Sequence, residues 1–188
     1  MASAPTKVVT GPVRLSYCHL FEPHSSFEGQ DAKYSTVILI PKTDKVTINK
    51  IKAAQQTALQ AGIGKFGGTI PKNWKNTLHD GDVEADLDKN PEYAGHMYMS
   101  VSNKTRPGIV DQQVNPIMDQ TEVYSGCYAR VSMNAFAFNS NGSKGISFGL
   151  NHVQKLKDGE PFGNVTRAED DFDAVDVPAA DVPADDLL

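Results

Sequence analysis

Three short stretches carry side chains that can do chemistry. In Thr121–His152 the even positions from Tyr124 read Tyr124, Gly126, Tyr128, Arg130, Ser132, Asn134, Phe136 and Phe138. That face is aromatic and polar with one cation. The second stretch puts Tyr98 shortly before Lys104 and Arg106, and the third sets Trp74 between Lys72 and Lys75. Rings suit stacking on flat bases, and Lys or Arg beside them suits phosphate oxygens. Each ring also has a plainer reading, as a side chain packed under a loop or against a neighbouring strand.

Nothing in the chain points to a reaction. There is no nucleophile elbow, no zinc-protease motif and no Walker motif, and Gly64–Gly68, which reads as a flexible segment, lacks the Lys-Ser/Thr ending of a phosphate loop. The carboxylates of HDGDVEADLD (79–88) do not have the spacing of an EF-hand loop. The histidines at 19, 24, 79, 96 and 152 form no ligand motif. No metal and no cofactor is therefore expected. Cys18 and Cys127 fall in expected strands, and two thiols in a chain this long do not make a disulfide framework. The N-terminus shows no secretory signal, and no stretch approaches the ~18 apolar residues of a membrane span.

These side chains must be positioned by strands. From Val123 to Ala137 the odd positions are all small or apolar, a period of two that marks one long strand. Asn139–Ser143 supplies a turn, because Asn and Gly accept positive φ. Ile146, Phe148 and Leu150 alternate along the return strand. Further strands are expected at Val13–Phe21, with Val13, Leu15 and Tyr17 on one face, at Tyr34–Ile40, at His96–Ser102 and at Ile109-Val110. Val37–Ile40 lacks alternation, so both of its faces should be covered. Residues 1–10 read as a loose arm. Thr43–Ala61 is the one good helix, with Ile48, Ile51, Ala58 and Leu59 on one side, a cap at Thr43 or Asp44, or at Thr47 for a later start, and Gly62 as its stop. The expected fold is mainly β, a small OB-like barrel plugged by one amphipathic helix. A helix after the second strand is not the usual OB position, which leaves the strand order open.

The 188 residues suit one domain, 1–167, and a tail, 168–188. The formal net charge is −5. Eight of the 23 acids lie in the tail, which has no Lys or Arg, so residues 1–167 hold 18 bases against 15 acids, a net of +3. A mildly basic body with a strongly acidic tail points to a nucleic-acid partner. Asp176-Val177-Pro178-Ala179 recurs as Asp181-Val182-Pro183-Ala184, and the chain ends Asp185-Asp186-Leu187-Leu188. Such a composition cannot bury enough apolar area to order itself.

The order GCYARVSMNAFAFN…GISFGLNHVQKLKDGEPFG, with YSTVILIP (34–41), LHDGD (78–82), Gly95–Tyr98 and NKTRPGIVD (103–111), also resembles a family of tailed-phage single-stranded-DNA-binding proteins. That family was first catalogued as a domain of unknown function, and the similarity covers most of residues 8–163. The resemblance implies an OB-type barrel that coats single-stranded DNA in phage replication or recombination, in the cytoplasm of the host cell. It also implies docking of replication or recombination proteins by the last four residues, Asp185, Asp186, Leu187 and Leu188. Tyr98, Lys104, Arg106, Tyr128 and Arg130 are the expected DNA contacts, backed by Trp74, Lys72 and Lys75 and then by Tyr124 and Phe136. Self-association is compatible with this reading. Two other functions compete with it. A structural β-barrel of a phage particle would self-associate symmetrically without preferring single strands. A metal-dependent nuclease would use Asp80, Asp82, Glu84 and Asp86.

Overall fold

A computed structural model describes residues 5–25, 27–162 and 172–176. The tail motif Asp185–Leu188 lies outside the described residues, as does most of 168–188. Among the described residues nine strands form one sheet: β1 (Lys7–Val9), β2 (Val13–His24), β3 (Lys33–Pro41), β4 (Lys75–Asn76), β5 (His79–Asp80), β6 (His96–Asn103), β7 (Gly108–Val110), β8 (Tyr128–Ser140) and β9 (Ser143–Lys157). The helices are α1 (Lys45–Ala61) and the single turn α2 (Gly81–Glu84).

Five of the strands close a barrel in the order β2-β3-β6-β9-β8 and back to β2. All of these pairings are antiparallel except β6 with β9, which is parallel. This is the OB-like barrel expected, a Greek-key arrangement of five strands. Its helix lies in the connection between the second and third barrel strands. The short β4 and β7 lie against β9, and β5 against β6. Inside, Leu15, Ile38, Ile40, Met99, Val101, Val131, Met133, Ile146 and Leu150 are completely excluded from solvent, and Phe148 nearly so.

The hairpin shows why alternation was readable. Ala129, Val131, Met133, Ala135 and Ala137 all turn inward, so a small-residue face lets β8 curve tightly around the core. The turn is narrower than Asn139–Ser143: Ser140 already pairs with Ser143, leaving Asn141 (φ 51°) and Gly142 (φ 84°) as a two-residue turn with both φ positive. The strand starts at Tyr128 rather than Val123. Gly126 takes φ 116° and packs against the carbonyl of Glu160, which breaks the extended run and leaves Cys127 just ahead of the strand.

Three other expectations are corrected. Residues 1–10 are not all a loose arm, since Lys7–Val9 pairs with Ser132–Asn134 and buries Val8. Tyr17 does not share the face of Val13 and Leu15. Its φ is +48° at an irregularity between Ser16 and His19, so the side chain swings out and its hydroxyl donates to Asn90 Oδ1. Gly64–Gly68 is not simply flexible, because Ile63–Phe66 makes a tight 3₁₀ turn that buries Phe66.

Helix α1 begins where Asp44 accepts the Thr47 amide at 3.1 Å and the Thr47 hydroxyl at 2.7 Å. Ile51, Ala54, Ala58 and Leu59 join the barrel core, so the helix plugs the barrel as expected. From its buried face Gln55 donates to Asn76 Oδ1, which also accepts the Leu78 amide. The helix thereby fixes β4 and with it Lys75.

Candidate nucleic-acid interface

Register places one row of side chains across the outside of the barrel. Asn134 of β8 opposes Gly149, Gly149 opposes Ser102, Ser102 opposes Ser35, and Ser35 opposes His19 of β2. With strands about 4.8 Å apart, the row spans roughly 19 Å. Its middle holds only Gly149, Ser102 and Ser35, with Ser147 and Ser100 on the same outer face. Small side chains make a shallow trough there.

The trough has two banks. On one, Tyr98 of β6 lies between the rings of His79 (5.2 Å) and Tyr93 (5.0 Å). The Tyr93 hydroxyl reaches Ser16 Oγ, so this cluster closes over the sheet toward β2. Burial pushes the Tyr98 phenol above its ordinary pKa and that of Tyr93 up to about 12, so both rings stay neutral and hydrogen-bonding. The other bank is the loop after β6. There Arg106, Asn103 and Thr105 line a groove with Lys7, Ser132, Asn134, Asn151 and His152. Asn103 holds that loop down by donating to the Leu150 carbonyl and accepting the Thr105 amide.

At the β8 end, Phe136 is 45% exposed and lies over Gly149, where an added Cβ would come 3.8 Å from the ring. Next to it a second groove is lined by Phe138, Ser147, Ile146, His79 and Lys75. It leads to a cleft between the β8–β9 turn and residues 69–75, lined by Lys75, Asn73, Gly142 and Lys144. Close backbone approach builds this corner: β4 runs beside Gly145 so tightly that a Cβ there would meet the Lys75 carbonyl at 2.3 Å. Lys7, Lys75, Arg106 and Lys144 make no ion pair among the described residues, and the Lys144 ammonium donates to the Phe66 carbonyl at 3.0 Å.

The structure brings some of the expected residues together and separates others. Tyr98, Phe136, Lys75 and Arg106 border the trough or the groove beside it. Lys104 is on the same loop as Arg106, paired with Asp31 at 3.1 Å. Lys72 is exposed in the loop before β4, and Trp74 is half-buried against the core. Tyr128, Tyr124 and Arg130 lie elsewhere. The Tyr128 ring has Arg14 at 5.1 Å and Lys157 at 4.6 Å, and Arg14 is also 4.2 Å from the Phe162 ring. The Tyr124 hydroxyl exchanges hydrogen bonds with the carbonyl and amide of Gly159. Arg130 donates to the Thr10 carbonyl and borders a separate notch with Val9 and Val114. Phe138 stands on the aromatic face of the hairpin but not among the expected contacts, and Lys144, Lys7 and Gly149 were not singled out in the sequence. Phe138 and Gly149 carried the signal of strand parity, whereas nothing local marks Lys7 or Lys144.

The acids of residues 80–84 are spoken for. Lys42 Nζ lies 2.7 Å from Asp80 and 2.6 Å from Asp82, which lowers the pKa of both carboxyls. Glu84 accepts the Asp80 amide and approaches His79. No three residues of His, Cys, Asp or Glu come together as a metal cradle among the described residues.

A closed five-strand barrel with a ring-lined trough across its outer face is an OB-type fold of the oligonucleotide-binding class. A family described as the ssDNA-binding protein of Enterobacter phage Enc34 matches residues 6–185, and the chain belongs to that family. It is a family of binding proteins, not of enzymes. A protein designated p50, of Acyrthosiphon pisum secondary endosymbiont phage 1, is 35% identical over 176 residues, covering 89% of this chain and 92% of that one. The Enc34 protein solved in complex with ssDNA is 26% identical, with a TM-score of 0.73 over 87% of this chain and 96% of that chain. The ssDNA-binding protein gp2.5 of bacteriophage T7, 14% identical with a TM-score of 0.61 over 95% of each chain, shares the fold.

Proposed function

We propose that the protein binds single-stranded DNA along the trough with little base preference, and coats it during phage replication or recombination in the host cytoplasm. The observation that carries this is the row of small residues between the Tyr98 ring cluster and the Arg106 loop, with Phe136 at its β8 end and the cations Lys7, Arg106, Lys75 and Lys144, in no ion pair among the described residues, beside it. Bases stack on Phe136, Phe138 and Tyr98, since every base has a π-face. Phosphates meet the lysines and Arg106, with Lys104, Lys72 and Trp74 at the margins. Tyr124, Tyr128 and Arg130 hold the segment after β9 and the chain before β2 against the barrel. The solved Enc34 relative, bound to ssDNA, supports the same ligand class. The acidic tail, 168–188, competes with DNA for the basic corner, and Asp185–Leu188 docks a replication or recombination protein.

Titrating the protein with unlabelled single- and double-stranded oligonucleotides, with Trp74 fluorescence as reporter, tests the core of this reading. Single strands should bind well above duplex. Equal affinity for the two forms would remove it, and symmetric self-association without that preference would favour a structural barrel.

A further inference from the structure

The trough ends on β2 at His19, and the ring there is not alone. His19 and His24 lie with their centroids 4.1 Å apart and their planes only 9° from parallel. His19 is half-buried and His24 is exposed, so the stack presents its outer ring to solvent. The four residues between them hold a second register shift of the β2–β3 pairing, which lets both rings reach one side. Phe27, three residues beyond His24, is 65% exposed. Asp31 of the same loop is tied to Lys104, so this loop and the basic loop after β6 form one lobe.

We propose that the His19–His24 stack is a further nucleobase platform, extending the single-stranded-DNA path beyond the trough, and that protonation of the stack adds a phosphate contact. The inference rests on the reading of the trough as a DNA site. A flat imidazole pair offers a base the same surface as a larger ring, and an imidazolium offers a phosphate a charge-assisted donor. Burial, and then the charge of His24, lower the pKa of His19, so the inner ring is kept neutral as the stacking base. The charged groups on the surrounding elements are Lys33, which pairs with His24 in the register, Glu22 and Glu28 on the strand and loop, the Asp31–Lys104 pair, and Arg106 over the Phe21 ring. The sign follows: DNA binds the protonated stack more tightly, so affinity rises as pH falls through the imidazole range.

The test titrates oligothymidines of increasing length into the parent, His24→Phe and His24→Ala at about pH 8 and about pH 6. For oligomers long enough to leave the trough, the parent should bind several-fold tighter at the lower pH. His24→Phe should match the parent at the higher pH and lose the gain. His24→Ala should bind on the order of tenfold more weakly at the higher pH and also lose the gain. The shortest oligomers should not distinguish the three. If His24→Ala binds like the parent at both pH values, the platform does not exist, and if the pH gain survives in both variants, the stack is not the source of the phosphate contact. A parent that binds no oligothymidine overturns this inference and the trough reading together.

Discussion

Phe136 and Tyr128 point to the same side of β8, eight residues apart, and meet different surroundings. Phe136 has glycine below it and solvent above, whereas the Tyr128 ring is already engaged by Arg14 and Lys157. Replacing Phe136 with Ala should weaken single-stranded-DNA binding by about 1–3 kcal/mol and leave stability nearly unchanged. Tyr128→Ala should do the reverse, costing about 1 kcal/mol of unfolding free energy in urea while the affinity for DNA stays within about twofold. If Tyr128→Ala loses DNA binding with stability intact, the ring serves DNA. Strand parity made it legible that both rings face outward. It could not show which ring keeps an open face, because Arg14 and Phe162 are far away in the chain. The cysteines illustrate the same limit from the inside. Burial pushes the Cys18 thiol up to about 11 and raises that of Cys127, so few thiolates exist near neutral pH. Both should react with a thiol reagent much more slowly than free cysteine, and fast labelling of the folded chain would show that these sites open readily.

Elements with local signals were legible, and elements made by distant contacts were not. Helix α1 carries its cap, its stop and its apolar spacing within its own sequence, and it forms with nearly the expected ends. The hairpin is written in alternation and in Asn141-Gly142. By contrast β1 exists because Lys7–Val9 finds the edge of β8, and the strand start at Tyr128 depends on Gly126 meeting Glu160. Neither partner is near in sequence. The trough is likewise a product of register, since Gly149, Ser102 and Ser35 come from three strands and none is conspicuous alone. The helix positions the site through Gln55 and Asn76, so its cap should matter to stability more than to binding. Asp44→Ala should cost about 1 kcal/mol in urea unfolding, because the Thr47 amide and hydroxyl both lose their acceptor. An unchanged midpoint would mean that solvent replaces the cap at no cost.

For the molecule as a whole, the division of charge is the property that decides behaviour in salt. A body of net +3 carries the cations of the trough, and residues 168–188 carry eight carboxylates and no cation. DNA affinity should fall as salt rises, with a log–log slope of about −0.7 for each phosphate neutralised. In the proposed competition the tail works against the same cations. Drawn out, its 21 residues reach up to ~70 Å, enough to cross a small barrel and arrive at Lys75, Lys144 or Arg106. Carboxylates there stand in for phosphates, so deleting 168–188 should leave the body folded and tighten its grip on single-stranded DNA. The gain should be larger at low salt, where attraction between exposed charges reaches further. On that proposal, DNA that displaces the tail would also release Leu187 and Leu188, and the occupied protein would be the form that offers them to a partner. Measuring affinity for the full and truncated chains at two salt concentrations separates these ideas. Equal affinities at low salt would mean that the tail does not visit the basic corner, and its end would then act only as a docking peptide.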